Sequence, residues 1–128
     1  MKDAYLVTEN EEAANQFKQL LSPELLAVTE IVSAGQKYAA VSLAGTIMSE
    51  RSRPVILVID AESDNVEDAK QRELFLESLL LPAASTAPYK VLLAVPSIGA
   101  IAQETSHLKS TLVQQITDFL SVSFSQAA

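Results

Sequence analysis

Apolar positions along this chain switch between two periods almost from end to end. Ala4 to Thr8 is a short apolar run closed by Glu9, the pattern of a buried strand. Asn10 then stands as a helix N-cap, with Ala13, Phe17, Leu20 and Leu21 following at helical spacing until Ser22-Pro23 stops the helix. Leu25 to Val32 is apolar and β-branched enough to predict a second strand, ending at Ala34-Gly35. Ala40, Leu43, Ala44, Ile47 and Met48 make one helical stripe that ends before Pro54. Val55 to Ile59 is an uninterrupted apolar run of the kind buried on both faces of a parallel sheet, closed by Asp60.

Asp64 and Glu67 fit a capping box for a helix reaching about Leu81, with Ala69, Leu76, Leu79 and Leu80 inward. Pro82 to Pro88 reads as a loop, Tyr89 to Val95 as a fourth strand ended by Pro96, and Ile98 to Glu104 as short helical turns. A last helix carries Leu108, Leu112, Ile116, Phe119 and Leu120 on one face; the segment from Leu120 to Phe124 alternates and fits helix or strand. Four strands separated by helices call for parallel pairing through right-handed crossovers. The expected fold is therefore one α/β domain over residues 1–128, Rossmann-like, with helices on both faces of a sheet of about four parallel strands. In such sheets ligands bind beyond the carboxyl ends of the strands.

Composition narrows the chemistry. No cysteine is present among the 128 residues, so disulfides, thiolate metal sites and cysteine nucleophiles are excluded, in keeping with a reducing cytoplasm. No run approaches the roughly 18 apolar residues of a membrane span, and Met1-Lys2-Asp3-Ala4 leads straight into a strand without a signal-peptide pattern, so a cytoplasmic protein is expected. A net charge of −7 with nine Lys and Arg argues against gripping nucleic acid by bulk electrostatics. A nucleic-acid partner then requires metal ions, or a partner protein that supplies the basic surface.

The strand ends hold the candidate residues. Glu9 ends the first, Gly35 and Lys37 follow the second, and Asp60-Ala61-Glu62-Ser63-Asp64 follows the third. Parallel strands bring these to one edge, where converging carboxylates repel unless a cation sits among them. Oxygen ligands suit Mg²⁺ or Mn²⁺. Asp60 and Glu62, with one residue between them, can reach one ion, with Glu9 as general acid or base in phosphoryl transfer. The structural alternative is capping: Glu11 and Glu12 open one helix, and Asp64, Glu67 and Asp68 another, where carboxylates favour the macrodipole. Ser33 to Lys37 fits a phosphate-binding turn or a plain helix-capping turn. His107, the lone histidine, reads as a surface or cap residue, and Tyr5, Tyr38 and Tyr89 sit in core-like patterns. Nucleophile-elbow, Walker A and dinucleotide glycine motifs are absent.

Val7-Thr8-Glu9-Asn10 resembles the first motif of Toprim domains, a strand ending in Glu. Ser33-Ala34-Gly35-Gln36-Lys37 resembles the glycine turn after the second strand in Toprim domains of the overcoming-lysogenization-defect nuclease type. Val58 to Asp64 resembles the family's D-x-D motif, and Val95-Pro96-Ser97-Ile98 a proline-bearing turn after the fourth strand. The resemblance covers roughly Tyr5 to Glu104. It implies Mg²⁺-dependent (or Mn²⁺-dependent) processing of phosphodiesters, with Glu9 as acid/base, Asp60 and Glu62 as metal ligands, Asp64 as an additional ligand, and Gly35 and Lys37 near phosphate. Asn10 stands where Gly commonly follows the Glu, Glu62 replaces the second Asp, and Gly99 lies where an acidic residue is common, so a degenerate site is one form of this reading.

The response-regulator receiver domain is a rival resemblance, with Asp60 as phosphoacceptor, Ser97 as hydroxyl switch and Lys109 as base. It lacks the residues that usually follow the acceptor, and Lys109 lies in a helical pattern. A non-catalytic interaction module is the third reading.

Overall fold

A computed structural model describes residues 3–51, 53–62, 65–83, 88–95, 97–98 and 107–127, without side-chain detail at 83, 107–110 and 123–127. The described elements run β1 (Ala4–Thr8), α1 (Glu11–Leu20), α2 (Pro23–Val28), β2 (Thr29–Ser33), α3 (Lys37–Arg51), β3 (Val55–Asp60), α4 (Val66–Leu80), a 3₁₀ turn (Leu81–Ala83), β4 (Tyr89–Ala94) and α5 (His107–Ala127). The strands form one four-stranded sheet in the order β2-β1-β3-β4. All pairings are parallel: Leu6 lies opposite Ile31 and Ile56, and Leu57 opposite Val91. This is the α/β, Rossmann-like arrangement expected from the alternation of periods.

The two central strands explain their own sequences. β1 is buried throughout and β3 from Val55 to Ile59, because helices cover both faces, so neither needs a polar alternate position. Ala4, Leu6, Ile56, Val58, Leu92 and Ala94 pack against Phe17 of α1, Leu25 of α2 and Leu112, Ile116 and Leu120 of α5. Tyr5, Val7, Val55, Leu57, Ile59, Val91 and Leu93 pack on the other face, against Ala40, Ala44, Ile47 and Met48 of α3 and Ala69, Leu76 and Leu80 of α4. Truncating a fully buried residue such as Ile56 removes contacts on a face with no room to collapse, at a cost of about 2–5 kcal/mol.

Four local expectations need correction. Leu25 to Val28 is helix, and only Thr29–Ser33 is strand. Ser22-Pro23 ends one helix and begins the next: the Ser22 hydroxyl accepts from the Leu25 amide at 3.3 Å, and Pro23 occupies the first turn, where its missing N–H costs nothing. The N-cap of α4 is Asn65, not Asp64; its side-chain oxygen accepts from the Glu67 amide at 2.9 Å and the Asp68 amide at 3.3 Å. Leu79 is 52% exposed instead of inward, and Tyr38 is 77% exposed instead of core. The segment after Leu120 is helical through Ala127. Of the turns expected over 98–104, all but Ile98 lie outside the described residues, and Ile98 is buried.

Candidate functional site

Strand order fixes where a ligand crevice forms. From β1 the chain crosses to β2 on one side, then returns past β1 to β3 on the other, so the crossover direction reverses between β1 and β3. Connections leave the sheet in opposite directions there and open a crevice at the carboxyl ends of the two strands. Glu9 and Asp60 stand at those two ends.

They are joined directly. The Val55 and Ala61 amides donate to Pro88 and Ala94 on the β4 side, so by alternation the Asp60 amide faces β1. β1 has ended at that level, and the Glu9 side chain supplies the acceptor: Asp60 N–H donates to Glu9 Oε1 at 2.7 Å. Glu9 is itself 8% exposed, a carboxylate enclosed at the end of an apolar strand. Asp60 in turn reaches across to the segment after β4, its Oδ1 accepting the Ile98 amide at 2.6 Å. Two carboxylates thus link three chain segments more than thirty residues apart in sequence.

The next residue is also pinned. The Ala61 amide donates to Ala94 O at 2.9 Å, and Arg72 Nη1 of α4 donates to Ala61 O at 2.6 Å. Glu62, one residue further, has φ +56°, a left-handed conformation uncommon for a residue with a Cβ. Its carboxylate turns to Lys37 at the start of α3, with Nζ–Oε2 3.2 Å; the Lys37 side chain is 16% exposed and that of Glu62 68%. Gly35, in the turn leading into α3, has φ +100°, which glycine adopts without steric cost. Lys37 is the first residue of α3, directly after this turn, and its ammonium meets Glu62, expected as a metal ligand. Asp64 lies outside the described residues.

A shallow cleft of about 120 Å³ opens beside Asp60, lined by Asn10, Glu12, Ala13, Gln16, Asp60, Ser97 and Ile98. The lining comes from the loop after β1, one side of α1, the end of β3 and the segment after β4. Asn10 caps α1, its Oδ1 accepting the Ala13 amide at 2.8 Å, as the sequence predicts. Glu11 accepts from the Ser33 hydroxyl at 2.8 Å and so ties α1 to the end of β2; its role is structural. Thr8 was missed by sequence reasoning. Its hydroxyl is buried at the end of β1, next to Glu9, without a hydrogen-bond partner among the described residues. A threonine inside a strand carries no signal in sequence, since β-branching alone explains it.

The donor chemistry fits a hard divalent cation. Mg²⁺ is commonly bound by one or two carboxylates, with water and substrate phosphate completing its shell; Asp60 lines the cleft, and Glu9 stands next to it with Oε1 taken by the Asp60 amide. Among the described residues, no three His, Cys, Asp or Glu side chains converge as a ready metal group, and Glu62 is directed to Lys37. His107 is the first residue of α5, and Lys109 lies within that helix. No helix among the described residues is long and apolar enough to cross a membrane. Comparison of the chain with protein-family models, curated proteins and solved structures gives no match.

Proposed function

We propose that this chain is a Toprim-like, divalent-metal-dependent phosphodiester-processing domain with Glu9 and Asp60 as its central residues. The observation that carries the reading is the direct contact of those two residues at the switch point of the sheet. Among many roles for a carboxylate, closing the β1–β3 ladder explains why one is needed there; it leaves unexplained why a second should adjoin it in an open cleft. A metal-dependent site explains both.

In that site Asp60 would hold the ion, joined by Glu62 once it leaves Lys37, and Mg²⁺ or Mn²⁺ would offset charge developing on a phosphate. Glu9 is the acid/base group. Its Oε1 is fixed by the Asp60 amide, so the orientation of the carboxyl is set before substrate arrives. Lys37 supplies a positive charge beside the turn containing Gly35. The net charge of −7 makes nucleic acid a partner approached through the metal, or beside a second protein with a basic surface.

Nicking of supercoiled plasmid in Mn²⁺ tests the reading. Wild type is expected to nick, and Glu9→Gln, which keeps the hydrogen bond to Asp60 N–H but not the acid/base function, to fall by roughly 10²–10⁴-fold. Asp60→Asn should be similarly impaired. Metal-independent nicking, or nicking unaltered in both variants, would remove this site from the reaction. Ser97 beside Asp60 in the cleft favours a second reading, a receiver-like phosphoacceptor. Incubation with acetyl phosphate separates the two: a mass increase of one phosphoryl group, absent in Asp60→Asn, belongs to the receiver reading alone. A protein silent in both assays is a binding module.

A further inference from the structure

We infer that the solvent-facing side of α4 pairs with the same side of a second copy of this chain, the two helices running antiparallel about a two-fold axis near residues 76 and 77. The pairing does not depend on the metal-dependent reading. It uses the half of α4 that leads away from Asp60 toward β4, on the side of the helix turned from the sheet.

Four large apolar side chains stand in water there. Leu74 is 68% exposed, Phe75 61%, Leu79 52% and Leu81 61%. Seven large hydrophobics are exposed among the described residues, and these four fall within eight consecutive positions. Leu81 continues the helical backbone, its amide donating to Glu77 O. Residues 74, 78 and 81, and residues 75 and 79, are therefore neighbours three or four apart on one face. Ala69, Leu76 and Leu80 hold the opposite face against the sheet. Ser78 is the one polar residue inside the patch, and its hydroxyl donates to Phe75 O at 2.6 Å, so that hydrogen bond needs no water. Glu73 and Glu77 are turned to the Leu93 and Val91 amides of β4, which leaves the patch uncharged. Scattered apolar residues are ordinary on a surface; a contiguous group is the mark of a contact.

Area and charge select a second copy as the occupant. The patch presents roughly 400 Å² of apolar surface, as large as the largest patch on many monomers. Two such patches with their rims cover about 1,000 Å² in total, the lower limit of a specific interface. Copies of a chain with net charge −7 repel one another, so they can meet closely only where charge is absent. The charges of α4 then fix the direction. Its first turn carries Glu67 and Asp68, and its last turn has no basic residue. Parallel pairing would set the two acidic turns side by side, about 10 Å apart. Antiparallel pairing holds the two Asp68 residues about 25 Å apart, more than two Debye lengths. It also brings Lys70 level with the carboxyl end of the other helix, whose carbonyls favour a cation. Phe75 then faces Ser78 of the second copy, large over small, and Leu74 faces Leu79. Symmetry repeats each contact, so the pair is closed and stops at two.

Sedimentation velocity of the full chain reads this directly. Wild type should pass from one chain to two, and no further, with a dissociation constant of about 1–100 μM, as suits an interface of this size. Phe75→Glu should weaken association by about 100-fold or more, because symmetry counts the loss of a central anchor twice. Its thermal midpoint at low concentration should be unchanged, since Phe75 is exposed in the single chain. The sequence has no cysteine, so a nitroxide on Asp68→Cys reports one distance between protomers. About 25 Å is expected by electron paramagnetic resonance. Wild type that stays a single chain at about 1 mM, well above that range, would overturn the inference and leave the face to a different protein. Association that Phe75→Glu leaves intact would place the contact elsewhere and overturn it too. A distance near 10 Å would overturn the antiparallel arrangement.

Discussion

Carboxylates accept backbone amides in two regions of this molecule, and the two regions use the same bond differently. At the outer edge of the sheet, β4 has no strand neighbour on one side among the described residues. Glu73 of α4 takes the Leu93 amide at 2.8 Å and Glu77, one turn later, takes the Val91 amide at 3.4 Å. Alternate amides of an edge strand are thereby occupied by side chains from the helix that packs on it. Such cover keeps an exposed strand from pairing with another chain. At the carboxyl ends of β1 and β3, Glu9 and Asp60 also accept amides, but each joins segments that are distant in sequence, and Asp60 borders a cleft. The first arrangement is completed by its hydrogen bonds. The second forms a crevice as well, which is why one reads as structure and the other as a site.

Alanine substitution should separate the regions most sharply. Glu9→Ala leaves the Asp60 amide without its acceptor in an enclosed position, and the expected loss is about 1–3 kcal/mol, measurable by urea unfolding. Glu9→Gln retains an acceptor oxygen and should lose well under half of that. Glu73→Ala faces a more open surface where water can replace the carboxylate, so its cost in stability should be smaller. Its larger consequence is a bared strand edge and concentration-dependent association, detectable by light scattering. If Glu9→Ala proves as mild as Glu73→Ala, the two regions are energetically alike and the contrast fails.

How much of this contrast was legible in sequence depends on the range of the interaction. The strand and helix alternation, the buried β3 run and the acidic residues at strand ends follow from periods of two and 3.6, which any reader of Val55 to Asp60 can count. α2 was hidden because Leu25 to Val28 sits directly against a true strand, with apolar residues continuous across the junction and only Ser22-Pro23 to mark a helix start. The Asn65 cap was hidden by Asp64 directly before it, a residue of equal capping ability. At the site, the residue set was visible but its partnerships were not. Nothing in the spacing of Lys37 and Glu62 announces an ion pair, and Glu73 and Glu77 read as ordinary helix surface until the strand beside them is known.

Proton linkage offers a finer test of the edge. Burial pushes the Glu73 carboxyl above its ordinary value near 4.5, opposed by the Leu93 amide, raised further by Glu77 and lowered by Lys90 and Lys70. A raised pKa in the folded state means that the native protein binds this proton more tightly than the unfolded chain. The resulting contribution to stability is complete below about pH 4.5 and is lost as pH rises through the folded value. Glu73→Gln keeps an acceptor for Leu93 and removes the penalised charge. It should therefore stabilise the protein at pH 7, by under about 1 kcal/mol given partial solvent screening, with the gain shrinking toward zero at low pH. Thermal melts of both proteins between pH 3.5 and 7.5 check the slope; destabilisation at pH 7 would show that the charge, not the hydrogen bond, covers the strand.

The smallest effect concerns Glu62, where the two regions differ in backbone as well as in bonding. Edge carboxylates project from a regular helix, whereas Glu62 occupies a left-handed conformation that glycine adopts freely. Its ion pair with Lys37 is mostly solvated on the Glu62 side, and pairs of that kind contribute little. Glu62→Gly should thus be neutral or stabilising by up to about 1 kcal/mol, since the backbone gain outweighs a weak contact. On the proposed metal-dependent reading the same change removes a carboxylate ligand and should impair activity. Stability that rises while activity falls is the signature of a residue kept for function. Stability that falls by as much as in Glu9→Ala would place Glu62 with the structural carboxylates, and the division between the two regions would then run between Asp60 and Glu62.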